Sequence, residues 1–545
     1  MSDSSGDVAR ASAWMALGTI VSRLTGFLRA LLLIWAIGTS LDADLFDSAN
    51  SVPNSLYILV AGGVFNVVLV PQLVRAMRRD DDGGDAYANR IITLGLLVLL
   101  AATVLLVVAV PLLLRVVFDS LLFTAEFSEQ RESARLLMYL CVPQVFFYGA
   151  FVLVGQVLNA RRRFGPMMWA PIVNNVVACL ALGSYVVVFG REGGSDGFTL
   201  GEALLLGIGS TLGIVVQSAV LIPYLRATGF HYRPRFDFRG VGLGHTVRLG
   251  GWTLAFIAVN QVAFVVVNRL GTGGNLAAAK REVEGSGSAV YGLGFLISQV
   301  PHGVITVSLA TAVMPTLASF AQDRQLPRMG LELGRTLRMA LVVIAPVAVA
   351  LACLGHELAS AISLGAASDD ARIIGDTIVG FTPAMVLFCV HFLMLRGFYA
   401  DEDTRTPFLL QVLVTGVNVT AAIVLTNLVA PVYVSSMLAV SFSLAYLVGS
   451  IASVWVLSRR CGRIVDAEML RFAVRATVAC AIAAAAMLGS IELLALAGIE
   501  GDRPVGALLT LAVAGAAGGL AYLLAARLVR ITEIQHLVTS VLRRR

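Results

Sequence analysis

The sequence predicts an all-α polytopic membrane protein: 14 transmembrane helices, two six-helix lobes around a central cavity, and two extra C-terminal helices. Three observations predict it. Of 545 residues, 58% are hydrophobic and 14% charged, with mean hydropathy +0.84. Soluble domains hold about 45–50% apolar and about 25% charged residues, so a soluble globular enzyme is excluded. The apolar residues also form long blocks, each suited to the roughly 20 residues that cross a bilayer. Finally, the arginines concentrate in alternate connectors.

The N-terminus, Met1 to Arg10, is polar and acidic (Asp3, Asp7). It lacks the basic start of a cleaved signal peptide, so the first block is read as a retained helix. The blocks run 12–38, 46–74, 91–118, 134–160, 168–190, 202–225, 244–268, 288–320, 336–363, 372–399, 407–429, 432–458, 472–498 and 505–529. They are helices because a backbone in lipid must satisfy its own hydrogen bonds. Barrel strands would be roughly ten-residue alternating segments, and these blocks are longer and uniformly apolar. The least marked break is the eleventh, where only Ala430-Pro431 intervenes.

An even count puts both termini on one side. With the N-terminus cytoplasmic, 29 of the 40 basic residues fall in cytoplasmic connectors and tails and 9 outside, while Arg23 and Arg29 lie within the first span. That bias follows the positive-inside rule. It also checks the span count, since a missed helix would scramble every later connector.

Two landmarks recur. Val70-Pro71 in the second span matches Met314-Pro315 in the eighth, 244 residues on. Asn159-Ala160, followed by Pro166 and Asn174, matches Tyr399-Ala400, followed by Pro407 and Asn418, 240 residues on. The first six and next six spans therefore read as repeats. Six is even, so both insert the same way up, with a substrate site between them. The expected organisation is a tail at 1–11, an N-lobe at 12–227 and a C-lobe at 228–458. Two further spans occupy 459–530 and a basic tail 531–545.

The residues that bear chemistry are the charges and amides inside spans. A charge at mid-bilayer costs at least ~2.5–3.5 kcal/mol on insertion scales, so Arg23 and Arg29 need water or a partner. Arg23 has the alternative of snorkelling to the interface; Arg29 lies deeper, with no acid close to it in the sequence. Six residues is about 240° of helix, so the two share a face only if Gly26 permits a bend. Together they outline a cationic cavity. Asp44 and Asp47 flank the outer end of the second span, as helix caps or as a gating acidic site. His302 beside Pro301 is a candidate protonation site, with a packed histidine as the alternative. Asn66, Asn174, Asn175, Asn260, Gln261 and Asn418 fit either helix–helix hydrogen bonds or a wet cavity; Asn66 and Asn260 are the candidate substrate-binding amides.

Other chemistry is not written here. The six cysteines are scattered, with no CxxC and no metal-ligand spacing; they read as small packing residues. There is no P-loop, no G-x-S-x-G and no H-E-x-x-H. Glu284 to Ser288 is a flexible outer loop rather than a phosphate cradle. No basic stripe with interleaved aromatics signals nucleic acid.

Ser22-Arg23-x-x-Gly26-Phe27-x-Arg29 resembles the first-helix signature of the MurJ (MviN) lipid II flippases. So do Val52-Pro53-Asn54, Val70-Pro71, Leu158-Asn159-Ala160 through Phe164 with Pro171 and Asn174, Pro301-x-Gly303 and Met314-Pro315. The most specific stretch is Arg396-Gly397-Phe398-Tyr399-Ala400 followed by Asp403-Thr404-Arg405-Thr406-Pro407. The resemblance implies the multidrug/oligosaccharidyl-lipid/polysaccharide exporter fold. It implies functional arginines at Arg23 and Arg29, an outer acid at Asp44, and a lipid-tail groove formed by the last two helices. Departures are Ala30 in place of an acid, Tyr57 or Ile58 and Gly62 in place of a basic residue and an acid, and Leu296 and Gln299 in the eighth span. Ala422, one turn past Asn418, replaces the acid through which some relatives bind sodium.

The expected function is therefore movement of lipid II from the cytoplasmic to the outer leaflet by alternating access, without ATPase chemistry. No cofactor or metal is expected, and the membrane potential or an ion gradient supplies the energy. Expected partners are lipid II, membrane lipids and cell-wall synthesis proteins, in the bacterial plasma membrane with both termini cytoplasmic. Rival readings are a flippase for another polyprenyl-linked glycan, a cation-coupled drug antiporter of the same superfamily, and a membrane scaffold. A scaffold has no reason to bear the insertion cost of buried arginines.

Overall fold

The computed structural model describes residues 3–58, 84–161, 163–191, 194–238, 243–363, 368–462, 464–499, 501 and 504–534. Among them, thirteen helices are long and apolar enough to cross a membrane. They match the first and the third to fourteenth predicted spans. The second is described only at its start, Leu41–Tyr57; Asn66 and the Val70-Pro71 landmark lie outside the described residues. The weakly marked eleventh break is present, with helices Arg405–Asn427 and Val434–Cys461 joined through a 3₁₀ turn at Pro431–Tyr433.

Prolines explain where the helices depart from simple blocks. A proline has no N–H to donate back into the preceding turn. The third span accordingly divides at Ala109 into Asp85–Val108 and Val110–Val117, with Pro111 in the first turn of the second piece. Pro143 separates Ser128–Cys141 from Gln144–Ala160 in the fourth. In the eighth span a π-helical turn, His302–Thr306, follows Pro301. The seventh helix, by contrast, runs unbroken from Leu243 to Arg281, well past the expected end at 268.

The chain forms two compact units, Met1–Glu282 and Val283–Arg545. Sequence reading set the border after residue 227; contacts set it one span later, because the seventh helix packs on the second. In the first unit, the fifth span (Gly165–Phe189) packs between the first (Leu17–Ile37) and the sixth (Leu200–Ala227), and the third packs on the fourth. Trp14 and Trp169 stack at 5.0 Å, and Asn175 Nδ2 donates to Ser22 O at 3.1 Å and Thr25 Oγ1 at 3.0 Å.

In the second unit, the tenth span (Asp370–Ala400) packs on the ninth (Leu326–Ile362) and twelfth. The last two helices, Ala467–Leu496 and Pro504–Leu528, pair with each other and lie against the ninth, where Tyr522 donates to Val342 O at 2.7 Å. Arg338 anchors this arrangement at one end, 3.0 Å from Glu533 and 3.2 Å from Glu468.

Ion pairs in each unit join connectors assigned to the same side. Asp85 pairs with Arg161, Arg90 with Asp237 and Asp403 with Arg460 on the arginine-rich side. Lys280 pairs with Glu126 and Arg372 with Glu284 on the other. These pairs check the number of helices between their members, and not the second span, which precedes them all.

The Asp403-Thr404-Arg405-Thr406-Pro407 stretch owes its pattern to a helix start. Asp403 accepts from the Thr406 amide at 2.9 Å and its hydroxyl at 2.5 Å, and Arg460 Nη1 donates to the same carboxylate at 2.6 Å. The motif thus fastens the head of the eleventh span to the tail of the twelfth.

Candidate functional site

Arg29 is half-buried on a helix that runs continuously from Asp3 to Ile37. No break occurs at Gly26, which instead faces Asn175. The two arginines part company: Arg23 is exposed, while Arg29 lines a cavity of about 70 Å³ within the first unit.

Four other elements wall that cavity. The second helix contributes Asp47 and Asn50, the fourth span Gln144 and Tyr148, the fifth Asn174, and the sixth Ser210. Gln144 Nε2 holds Asn50 Oδ1 and Thr211 Oγ1, each at 3.2 Å. Asn174 fits because position 213 is glycine: a Cβ there would lie 2.3 Å from Asn174 Oδ1. The Arg29 charge acts on Asp47 and Tyr148. The sequence shows no acid beside Arg29; the fold brings Asp47 of the next helix to the same cavity. The half-buried cation thus faces polar and acidic groups rather than hydrocarbon alone.

The volume decides what fits. Small-molecule sites run roughly 300–1,000 Å³, so this cavity takes water or a small ion but no sugar-peptide headgroup. It is a small polar pocket beside one arginine.

Asp44, one turn before Asp47, is not the exposed cap considered from sequence. It is fully buried and accepts from Asn275 Nδ2 at 2.9 Å. Asn275 also donates to Thr39 O at 3.1 Å, and one face earlier on the same helix Asn268 accepts from Ser48 Oγ at 3.1 Å. On the other flank, Asp42 Oδ1 accepts from Gly197 N at 3.0 Å and Ser40 Oγ donates to Gly194 O at 2.6 Å. The start of the second helix is therefore locked between the 194–198 loop and the seventh helix.

The remaining predicted residues are dispersed. Asn260 is half-buried and donates to Phe256 O of its own helix at 2.8 Å. His302 belongs to the second unit, buried with its ring 4.4 Å from Phe388 and 4.7 Å from Phe392. Asn66 lies outside the described residues. Of the other amides, Asn175 bonds between helices, Asn418 accepts from Ser441 at 3.0 Å, and Asn174 lines the cavity. Among the described residues no group of three or more His, Cys, Asp or Glu is placed to hold a metal.

Sequence reasoning missed Asn50, Gln144, Tyr148 and Asn275, and left Asp47 between a cap and a gating acid. Asn50 lies mid-helix and Gln144 begins the second half of the fourth span, and a single polar residue at such places is ordinary. Their joint placement around Arg29 is the only signal, and it is a tertiary one.

A second cavity, apolar and of about 430 Å³, lies in the second unit between the ninth, tenth and thirteenth spans. Its walls include Leu341, Val349, Pro383, Val386, Phe472 and Ala476.

Comparison with known proteins places these features. The family described as "Lipid II flippase MurJ" matches residues 34–505, so Arg23 and Arg29 precede the matched stretch and Asp44 and Asp47 fall within it. A probable lipid II flippase MurJ of Haemophilus influenzae is 25% identical over 403 residues, 71% of this chain and 75% of that protein. One from Thermotoga maritima is 22% identical over 527 residues, 96% of this chain and 97% of its own length. Among solved structures, a lipid II flippase MurJ in an inward closed conformation aligns with TM-score 0.70 at 18% identity, covering 94% of this chain and 98% of that one. An inward-facing multidrug transporter of the MATE family aligns with TM-score 0.61 at 15% identity, covering 80% and 95%. At these identities the structures show a shared fold.

Proposed function

This chain belongs to the lipid II flippase MurJ family, and on that basis we propose that it carries lipid II from the cytoplasmic to the outer leaflet by alternating access. The family match over residues 34–505 is the observation that carries the reading. It is a multi-pass membrane transporter rather than an enzyme.

Arg29 is the anion-binding residue of this reading. A pyrophosphate cannot cross hydrocarbon without groups that replace its hydration, and arginine binds phosphate bidentately. In the conformation described, Asp47 and the cavity amides line the same cavity as Arg29. A diphosphate brings more negative charge than one carboxylate and competes for the same guanidinium. Arg23, exposed on the same helix, meets the headgroup from another face.

The polyprenyl tail needs an apolar path. The 430 Å³ cavity along the thirteenth span suits it, so that the first of the last two helices forms the tail groove together with the ninth and tenth spans. The energy source is the membrane potential or an ion gradient, since no nucleotide-binding motif is present in the sequence. Cell-wall synthesis proteins are the partners this role calls for. The arginine distribution orients both termini to the cytoplasm of the bacterial plasma membrane.

The test is complementation of a bacterium depleted of its own flippase, with labelling of precursor in the outer leaflet. Restored growth with restored outer-leaflet lipid II supports the reading. Restored membrane insertion with no precursor outside refutes it.

A further inference from the structure

A second cavity in the first unit plays no part in the account above. It is a cavity of about 700 Å³ bounded by the third, fourth and sixth spans. Leu96, Phe146, Phe147 and Val154 form its apolar floor. Its rim is different: Arg226, His231 and Tyr232, from the end of the sixth span and the connector that follows, stand around one end.

That rim is built rather than loose. Phe230 is fully buried beneath it, with the Arg161 guanidinium 5.0 Å over its ring. Tyr232 shares a 3.0 Å hydrogen bond with Thr93, the Arg233 amide donates to Asn89 Oδ1 at 2.7 Å, and the Arg235 amide to Thr93 Oγ1 at 3.1 Å. Arg90 grips Asp237 at the far end of the strap. His231 Nδ1 is 3.0 Å from Gly229 O, which fixes its ring. Arg226 is exposed and has no carboxylate partner among the described residues.

We propose that this cavity holds an anionic phospholipid, one acyl chain between the third, fourth and sixth spans and its phosphate at Arg226 and His231. The charges select the occupant: the apolar floor suits any acyl chain, while the cationic rim, at the end of a membrane span, suits a phosphate without a compensating ammonium. The volume is within the roughly 300–1,000 Å³ of ligand sites. Basic pockets between spans on the cytoplasmic side are a known means of holding lipid headgroups. The proposal does not depend on the transported substrate.

The test is native mass spectrometry of the full chain titrated with phosphatidylglycerol and, separately, phosphatidylcholine. Wild type should retain phosphatidylglycerol preferentially. Arg226→Glu, at an exposed position that folding tolerates, should cut that retention at least about fivefold, the effect of one basic side chain near a phosphate. Ala150→Trp, which fills the cavity, should reduce retention of both lipids. Equal retention of the two lipids by wild type, or unchanged phosphatidylglycerol retention in Arg226→Glu, overturns the proposal. So does displacement of the bound phospholipid by a polyprenyl phosphate, which would assign the cavity to the substrate tail.

Discussion

Asp44 and Asn275 are joined by a 2.9 Å hydrogen bond in which the Asn275 amide donates to a carboxylate with no exposure to solvent. The bond ties the start of the second helix to the seventh. It makes Asp44 an acceptor held in place by packing, and an acceptor need not be charged.

Asp44→Asn should therefore retain most transport, since Asn keeps a carbonyl oxygen for Asn275. Asp44→Leu should not, because it buries an unsatisfied amide at a cost of about 1–3 kcal/mol. Thermal unfolding in detergent should separate the two, the leucine variant melting lower. Complete loss of export by a well-folded Asp44→Asn would make the charge itself functional.

Asp42, two residues earlier, is sensitive to pH. Burial pushes its carboxyl up to about 7 from an ordinary 3.8, against the Gly197 amide that it accepts; Asp196 and Glu202 push further up. An acid raised in the fold binds its proton more tightly there than when unfolded. Its stabilisation is complete below about 3.8 and fades as pH rises through 7. Melting of wild type should thus decline from about pH 4 to pH 7 relative to Asp42→Asn, which keeps the acceptor and does not titrate. Parallel curves for the two proteins would contradict this.

At the opposite side, burial pushes Asp403 up, but the Thr406 hydroxyl and amide and the Arg460 guanidinium outweigh it and hold the carboxyl below its usual range. Asp403→Ala should cost about 0.5–2 kcal/mol for the lost helix cap, and Arg460→Ala less, as a half-exposed pair contributes about 0.2–1 kcal/mol. A double-mutant cycle on thermal stability should return a coupling in that smaller range. Equal losses from both single variants would remove the capping role.

The arginine bias of the connectors predicts the labelling pattern of introduced cysteines. Asp196→Cys should react with an impermeant maleimide in intact cells, and Glu402→Cys only after permeabilisation. The reverse pattern would invert the assigned orientation.

The membrane fold was legible because lipid forces each span to declare itself as an apolar block, and because connectors carry the arginine bias. Even the Ala430-Pro431 break was readable, since a proline with no N–H to donate marks a candidate helix boundary. The site was legible only in part. A charge in an apolar run, such as Arg29, stands out in one dimension. Its cavity neighbours Asp47, Asn50 and Gln144 do not, because single polar residues in a helix are common and only folding brings three helices together around one guanidinium. For Asp44 the sequence left a cap and a gating acid both open, because its partner is 231 residues away.

Arg29 is the centre of the account, and outer-leaflet precursor in cells that depend on this chain tests it most directly. A charge-assisted contact is worth about 1.5–3 kcal/mol, roughly ten- to 150-fold in affinity. Arg29→Ala should insert and accumulate normally yet leave lipid II in the inner leaflet, while Arg29→Lys, keeping a point charge without the bidentate geometry, should export at an intermediate rate. Wild-type levels of outer-leaflet lipid II from a well-expressed Arg29→Ala chain would contradict the assignment of Arg29 as the anion-binding residue.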